Sequence, residues 1–207
     1  MASLQVTDER AREDAIDERL VASFQRGNSH ALSELYRRHG RRVESVARNV
    51  IGPSDELEDV VQEVFIELHR SLHRFRGDAR FTTWLHRVTV NVALQHLRRG
   101  KRKGWLRWLG LDQVGNAATA RVPAGDRQVE ARETVRALYV ALDAVSEKKR
   151  VVFTLYELEG LSLEDIAATV GTSVNTVKSR LHHARREIFG QLQQDGLLPT
   201  HTLQVVK

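Results

Sequence analysis

No proline interrupts a periodic segment of this chain. Pro53, Pro123 and Pro199 each fall between stretches whose apolar residues recur at three-to-four spacing. Proline removes a helix hydrogen bond and clashes with the preceding turn, so its exclusion from these stretches leaves them free to be long helices. No Val/Ile/Thr run alternates cleanly enough to be a strand. The expected fold is therefore all-α, as two small helical domains joined by a flexible linker.

The first domain is expected over 1–103. A short helix, Ile16 to Arg26, packs onto three longer ones. Ser29 to Val50 carries Leu32, Leu35, Tyr36, Val43, Val46, Ala47 and Val50 on one stripe, and Gly52-Pro53 stops it. Ser54 is the expected N-cap of a helix to about His73, with Leu57, Val60, Val61, Val64, Phe65, Leu68 and Leu72 inward. Thr82 or Thr83 is expected to cap the third, and Arg98-Arg99-Gly100 to end it. The glycine- and alanine-containing segment 104–128 reads as linker. The second domain is expected over 129–193, with Val135, Leu138, Tyr139 and Leu142 inward on its first helix. Ser146 caps the next, which carries Val151, Val152, Leu155, Tyr156 and Leu158 inside and ends at Gly160. The tail 194–207 is weakly patterned.

Composition excludes several classes. The chain has no cysteine, so it has no disulfide framework, thiolate nucleophile or sulfur-based zinc site. No apolar run reaches the roughly 18–20 residues that span a bilayer, and Met1 to Leu20 is too charged for a signal peptide. His69 and His73 share the i,i+4 spacing of metal ligands. However, no His-Glu-x-x-His, phosphate loop or Gly-x-Ser-x-Gly element accompanies them, so no metal, cofactor, small-molecule substrate or catalytic residue is expected.

The net charge of +5 conceals a sorting of charge along the chain. Ser54 to Leu68 holds six acids and no Lys or Arg, while Arg70 to Lys103 holds ten bases and one acid. Such neighbours are either two solvated helix faces or two surfaces for different partners. On the acidic helix, Asp59, Gln62 and Glu63 form one polar strip beside Phe65, a docking edge for a basic helix. On the basic side, Arg74, Arg76, Arg80, Arg87 and Asn91 surround Phe81-Thr82-Thr83-Trp84. Aromatic rings beside cations suit unstacked bases, although Trp84 taken alone reads better as core than as a base contact.

The most specific signal lies further on. Ser162-Leu-Glu-Asp165 is a capping box, Gly171-Thr172 a turn that needs positive φ, and Ser173 a second cap. With Ala167 and Val177 closing a small core, this is a helix-turn-helix. Lys178, Ser179, His182 and His183 are assigned to the DNA groove. Asn175, Thr176 and Arg185 are assigned to phosphate or positioning contacts. Arg180 is offered either to DNA or to Glu164.

Together, Asp59-Val-Val-Gln-Glu-Val-Phe65, the Phe81-x-x-Trp84-Leu helix ending Arg98-Arg99, and the segment Gly160 to Arg180 resemble a bacterial RNA polymerase sigma factor. The short chain resembles the extracytoplasmic-function (ECF) group. The resemblance implies a cytoplasmic promoter-specificity subunit that binds core RNA polymerase. Asp59, Gln62, Glu63 and Phe65 would meet the β′ clamp helices. Arg76, Arg80, Phe81, Thr83, Trp84 and Arg87 would open the −10 element and hold a flipped base, with Asn91, Arg98 and Arg99 just upstream. The second domain would read the −35 element with Asn175, Thr176, Lys178, Ser179, His182, His183 and Arg185 while touching the β flap. An anti-sigma factor, which could hold the chain at the membrane, is a further implied partner. The sequence departs from the family pattern at Gln95, at the His182-His183 pair and in the basic Trp105/Trp108 segment. A two-domain helix-turn-helix regulator independent of polymerase is the alternative.

Overall fold

A computed structural model describes residues 2–52, 54–108 and 126–197, with side chains over 11–52, 54–100 and 134–197. Its elements are α1 (Ala2–Gln25), α2 (His30–Ile51), α3 (Leu57–Ser71), a single 3₁₀ turn (Leu72–Arg74), α4 (Phe81–Trp108), α5 (Asp126–Ala144), α6 (Glu147–Phe153), a π turn (Thr154–Leu158), α7 (Leu163–Val170) and α8 (Val174–Gln194). The described residues contain no strand. The expected linker over 109–125 and the tail from 198 lie outside the described residues, as do all three prolines.

In the first unit α2 is central, packed against α1, α3 and α4. Leu35, Val43, Val46, Ala47 and Val50 of α2 meet Val60, Val64 and Leu68 of α3 and Leu85 of α4 in a buried core. Full burial of such a side chain stabilises by about 1.5–3 kcal/mol. Helix α1 is longer than the apolar stripe predicts: Val21 and Phe24 near its end are buried in the core, and the turns before them are rich in the helix formers Ala, Arg and Glu. It is tied down by Asp17, which is wholly buried: Arg38 Nε donates to it at 3.0 Å and His39 Nε2 lies 2.9 Å away. A buried carboxylate needs such partners. At the end of α1, Gln25 Nε2 donates to the carbonyls of Leu72 and Phe75 at 3.1 and 2.9 Å, fixing the turn after α3.

Several expected boundaries move. Ser54 does not cap α3: its hydroxyl accepts the Glu56 N–H at 3.1 Å in a preceding turn, and the helix starts at Leu57. Thr82 and Thr83 lie inside the first turn of α4, which begins at Phe81 because that ring anchors in the core at 2% exposure. Arg98-Arg99-Gly100 does not end α4; the backbone stays helical to Trp108, five residues into the expected linker 104–128, whose last three residues likewise belong to α5. A mid-helix glycine costs only about 1 kcal/mol, and the residues around it are good helix formers. Ser146 occupies the N-cap of α6, but its hydroxyl makes no capping bond.

In the second unit α8 packs on α5, α6 and α7. Leu142, Val152, Leu155, Ile166, Val177, Leu181, Ala184 and Ile188 form its core. Tyr36, Val135 and Leu158, all expected inside, are exposed. Gly160 (φ 65) and Gly171 (φ 66) close α6 with its π turn and α7, in the left-handed conformation expected of them.

The two units are in contact. Helix α7 lies against α4, and the π turn lies against α2. Glu159 accepts from Ser45 Oγ at 2.9 Å and from Asn49 Nδ2 at 2.6 Å. Tyr139 Oη donates to Asn49 Oδ1 at 3.2 Å, and Thr154 Oγ1 to the Asn49 carbonyl at 3.3 Å. Gly52 permits this closeness, since a Cβ there would stand 3.3 Å from the Tyr139 ring. No described helix is long and apolar enough to cross a membrane.

Candidate nucleic-acid interface and docking groove

The helix-turn-helix is the most locally determined part of the site. The Ser162 hydroxyl accepts the Asp165 N–H at 3.1 Å and donates to the Asp165 carboxylate at 2.8 Å. The Ser173 hydroxyl accepts the Thr176 N–H at 3.2 Å. These two caps and the left-handed Gly171 set the crossing of α7 and α8. Asn175, Lys178, Ser179, His182 and His183 are exposed on α8, the two imidazoles edge-to-face at 5.5 Å. Thr176 is half-buried and shares a hydrogen bond with Ser173. Arg185 is turned onto its own unit: it pairs with Glu157 at 2.5–2.6 Å, its guanidinium 5.2 Å above the Tyr156 ring. No Arg180–Glu164 pair forms among the described residues. Arg180 instead borders a cavity of about 430 Å³ between the units, together with Arg87, Asn91, Arg98 and Thr172.

The basic helix α4 carries the second candidate face. Phe81 is buried against His39 and Phe75, with ring centroids at 5.4 and 6.2 Å, so its ring is a support and offers no free surface to a base. Thr83 is also buried. Trp84 is half-buried, resting on Phe75 at 5.2 Å. Its remaining edge opens into a cleft of about 330 Å³ between α3 and α4 that Arg70, Arg87, Asn91 and Gln95 also line. Both readings of Trp84 hold at once: one face is core, one edge borders the cleft. Arg76 is exposed in the preceding loop. Arg80 pairs with Asp165 of α7. Arg98 donates through Nε and Nη2 to Glu147 Oε2 at 2.9 and 2.7 Å, and Arg99 pairs with Glu63 at 3.1 Å.

On the opposite side of α3, a groove of about 560 Å³ runs against α2. Gln62, Phe65, Glu58 and Arg70 line it, with Tyr36 and Ile66. Phe65 is mostly buried and packs on Tyr36 at 4.5 Å. Tyr36 and Ile66 are 53% and 44% exposed, an apolar surface beside the groove that helical spacing alone does not reveal. The signal was present: Ile66 interrupts the otherwise polar strip. Asp59 is exposed in the first turn of α3, where the helix dipole favours an acid. His69 and His73 both pack against the Phe24 ring, at 5.5 and 4.7 Å.

A further cavity, about 570 Å³, lies between the units and is lined by Arg42, Arg80, Thr83, His86, Ser162 and Asp165 among others. His86 is buried, its Nε2 without a hydrogen-bond partner. Burial first, and the nearby Arg42 second, push its pKa down to about 4.

Comparison with known proteins assigns these surfaces to a family. The Sigma-70 region 2 pattern matches residues 35–103, and the Sigma-70 region 4 pattern matches residues 135–188. The RNA polymerase sigma-H factor of Pseudomonas aeruginosa is 34% identical over 181 residues, covering 86% of this chain and 94% of that protein. The chain belongs to the sigma-70 family, in its ECF group. The ECF RNA polymerase sigma-E factor of Escherichia coli K12 is 33% identical over 185 residues, covering 87% of this chain and 96% of that one. Among solved structures, CnrH in complex with the cytosolic domain of CnrY is 26% identical, with a TM-score of 0.64 over 87% of this chain and 99% of that chain. The sigma factor RpoE, solved with the anti-sigma factor NepR from Bartonella quintana, shares the fold at 22% identity and a TM-score of 0.56, covering 79% of this sigma factor and 97% of that chain. Region 2 thus comprises α2 to α4 with the groove and cleft, and region 4 comprises most of α5 to α8 with the helix-turn-helix.

Proposed function

We propose that this sigma factor is a promoter-specificity subunit that binds core RNA polymerase, reads −35 and −10 elements and promotes promoter melting. The observation that carries the reading is the pairing of two unlike surfaces on one chain: a largely apolar groove between α2 and α3 that Glu58 and Gln62 border, and an exposed polar face on the second helix of a side-chain-capped helix-turn-helix. The groove with Gln62 and the rim of Phe65, together with Asp59 in the first turn of α3, takes the β′ clamp helices, while Glu63, which lies on the α4 side of α3 and pairs with Arg99, borders that surface. Tyr36 and Ile66 supply its apolar contact. Lys178, Ser179, His182 and His183 enter the −35 major groove, while Asn175 and Thr176 position the helix on phosphates. Arg76, Trp84, Arg87 and Asn91 hold the opened −10 strand, with Arg80, Arg98 and Arg99 on its backbone and buried Phe81 and Thr83 setting the shape of the cleft.

The chain acts in the cytoplasm, carries no catalysis of its own, and is held in check by an anti-sigma factor, the kind of partner with which the sigma factor RpoE was solved. Transcription in vitro with core polymerase on a genomic library, followed by start-site mapping, tests the reading. Start sites sharing a −35 and a −10 motif are expected. Absence of transcripts above core alone, with the chain folded and retained on DNA, favours the independent regulator.

A further inference from the structure

We infer that the cavity that α4 of region 2 shares with α6, α7 and α8 of region 4 is a binding site for a nucleoside polyphosphate. The inference goes beyond the promoter reading and does not depend on it.

The cavity, about 430 Å³, has the size of a small-molecule site. Four cations line it: Arg87 and Arg98 from α4, Lys148 at the start of α6 and Arg180 from α8. Its single carboxylate among the described residues, Glu147, is already held by Arg98. Arg87, Lys148 and Arg180 form no ion pair with another described residue. A concave wall of one sign concentrates small anions.

Spacing along α4 sets the length of the anion. Arg87, Asn91, Leu94 and Arg98 follow one another by four, three and four residues, so they share one helix face. Eleven residues at about 1.5 Å each put Arg87 and Arg98 about 16.5 Å apart along the axis. A lone phosphate cannot meet both. A nucleoside carrying two or three phosphates can, with the long arginine stems closing the remainder. Guanidinium groups fork onto phosphate oxygens, which favours such a ligand over a carboxylate-poor neutral one.

The rest of the lining suits the nucleoside. Val90, Leu94, Val151 and Val170 offer an apolar patch to a base ring. Asn91 and Thr172 supply donors and acceptors for its edge or for the ribose. In the same wall Thr169 is 2% exposed, and its Oγ1 has no hydrogen-bond partner. Buried hydroxyls are normally paired, and a ribose or phosphate oxygen seated at this wall supplies the partner. Because the cations come from both regions, the ligand bridges them and adds its binding free energy to their contact.

Isothermal titration calorimetry on the full chain tests the site with ATP, pyrophosphate and adenosine at ~50 mM salt, with EDTA present so that no divalent cation contributes. ATP is expected to bind, pyrophosphate about tenfold more weakly for lack of a base, and adenosine without measurable heat. K148Q/R180Q removes two cations outside the proposed promoter contacts and should weaken ATP binding about tenfold. R41Q/R186Q, the same charge change on exposed arginines outside the cavity, should keep the affinity of the unmodified chain. Amide exchange should slow with ATP along 87–98 and at the turn between α7 and α8. If thermal melts show that K148Q/R180Q does not fold, K148Q alone, at an exposed side chain, carries the test with a loss of about threefold. No ATP binding tighter than about 1 mM overturns the inference. So does equal ATP affinity for the unmodified chain and K148Q/R180Q, an equal loss in R41Q/R186Q, or pyrophosphate binding as tightly as ATP.

Discussion

The proposed −35 face and the proposed −10 face of this sigma factor stand in opposite conditions. On α8, Asn175, Lys178, Ser179, His182 and His183 are exposed. On α4, Arg80, Arg98 and Arg99 are each clasped by an acid, and Phe81 and Thr83 are buried. The units also differ in how their helices start. Both helix-turn-helix segments have side-chain caps, from Ser162 and Ser173, whereas α2 and α3 have none. Region 4 presents a face set by short-range hydrogen bonds. Region 2 is assembled by long-range packing, and Arg80 and Arg98 of its proposed face are taken up by acids of its neighbour.

The largest expected effect tests whether the units stand separately. Leu35→Ala in region 2 and Ile188→Ala in region 4 each remove a wholly buried side chain and should cost about 3 kcal/mol. Amide hydrogen exchange should accelerate mainly within the mutated unit; equal acceleration in both would show that the contact of α4 with α7 makes them one cooperative body.

A comparable effect depends on pH. The His86 pKa falls from 6.5 to about 4 on folding, so between these values the unfolded chain binds more protons and stability rises with pH. The contribution is complete above pH 6.5 and is lost as pH falls towards 4, about 3 kcal/mol at most. Arg42 and His39 from α2, Arg80 beside α4 and Asp165 from α7 all act on this ring. Urea midpoints measured between pH 7.5 and 4.5 should fall less steeply for His86→Leu, by about that amount.

A smaller effect contrasts two cations on α8. Lys178→Ala should weaken binding to a mapped promoter by about 1–3 kcal/mol, with less loss on random duplex. Arg185→Ala should change duplex binding by under about 0.5 kcal/mol, since its guanidinium is committed to Glu157 and Tyr156. Anisotropy titrations read both; reversed sensitivities would reassign the face. The smallest effect addresses the caps. Ser173→Ala should lower stability by about 1 kcal/mol and Ser29→Ala by almost nothing, because the Ser29 hydroxyl makes no cap bond. Thermal melts distinguish them.

Much of this was legible before any coordinates. Ser162, Gly171 and Ser173 act through bonds spanning three or four residues, so local spacing identifies them. The stripes of α2 and α3 are legible for the same reason, as period-3.6 patterns facing a core. Other assignments were out of reach because they depend on a neighbouring element. Tyr36 fits the α2 stripe by spacing, yet it lies at the rim where α3 leaves a groove. Phe81 looked like a ring for bases until His39 and Phe75 were seen to enclose it. Gly100 has the composition of a helix end, but nothing beyond it forces the chain to turn.

The apolar period, the excluded prolines and the serine caps by themselves determined that this chain is helical, that it carries a helix-turn-helix, and that acid precedes base along region 2. Those are properties of residues within one or two turns of each other. Tertiary structure alone decided which charges are available. Arg80 finds Asp165 across 85 positions, and Arg98 finds Glu147 across 49. Pairing at such separations follows from where α4, α6 and α7 come to rest.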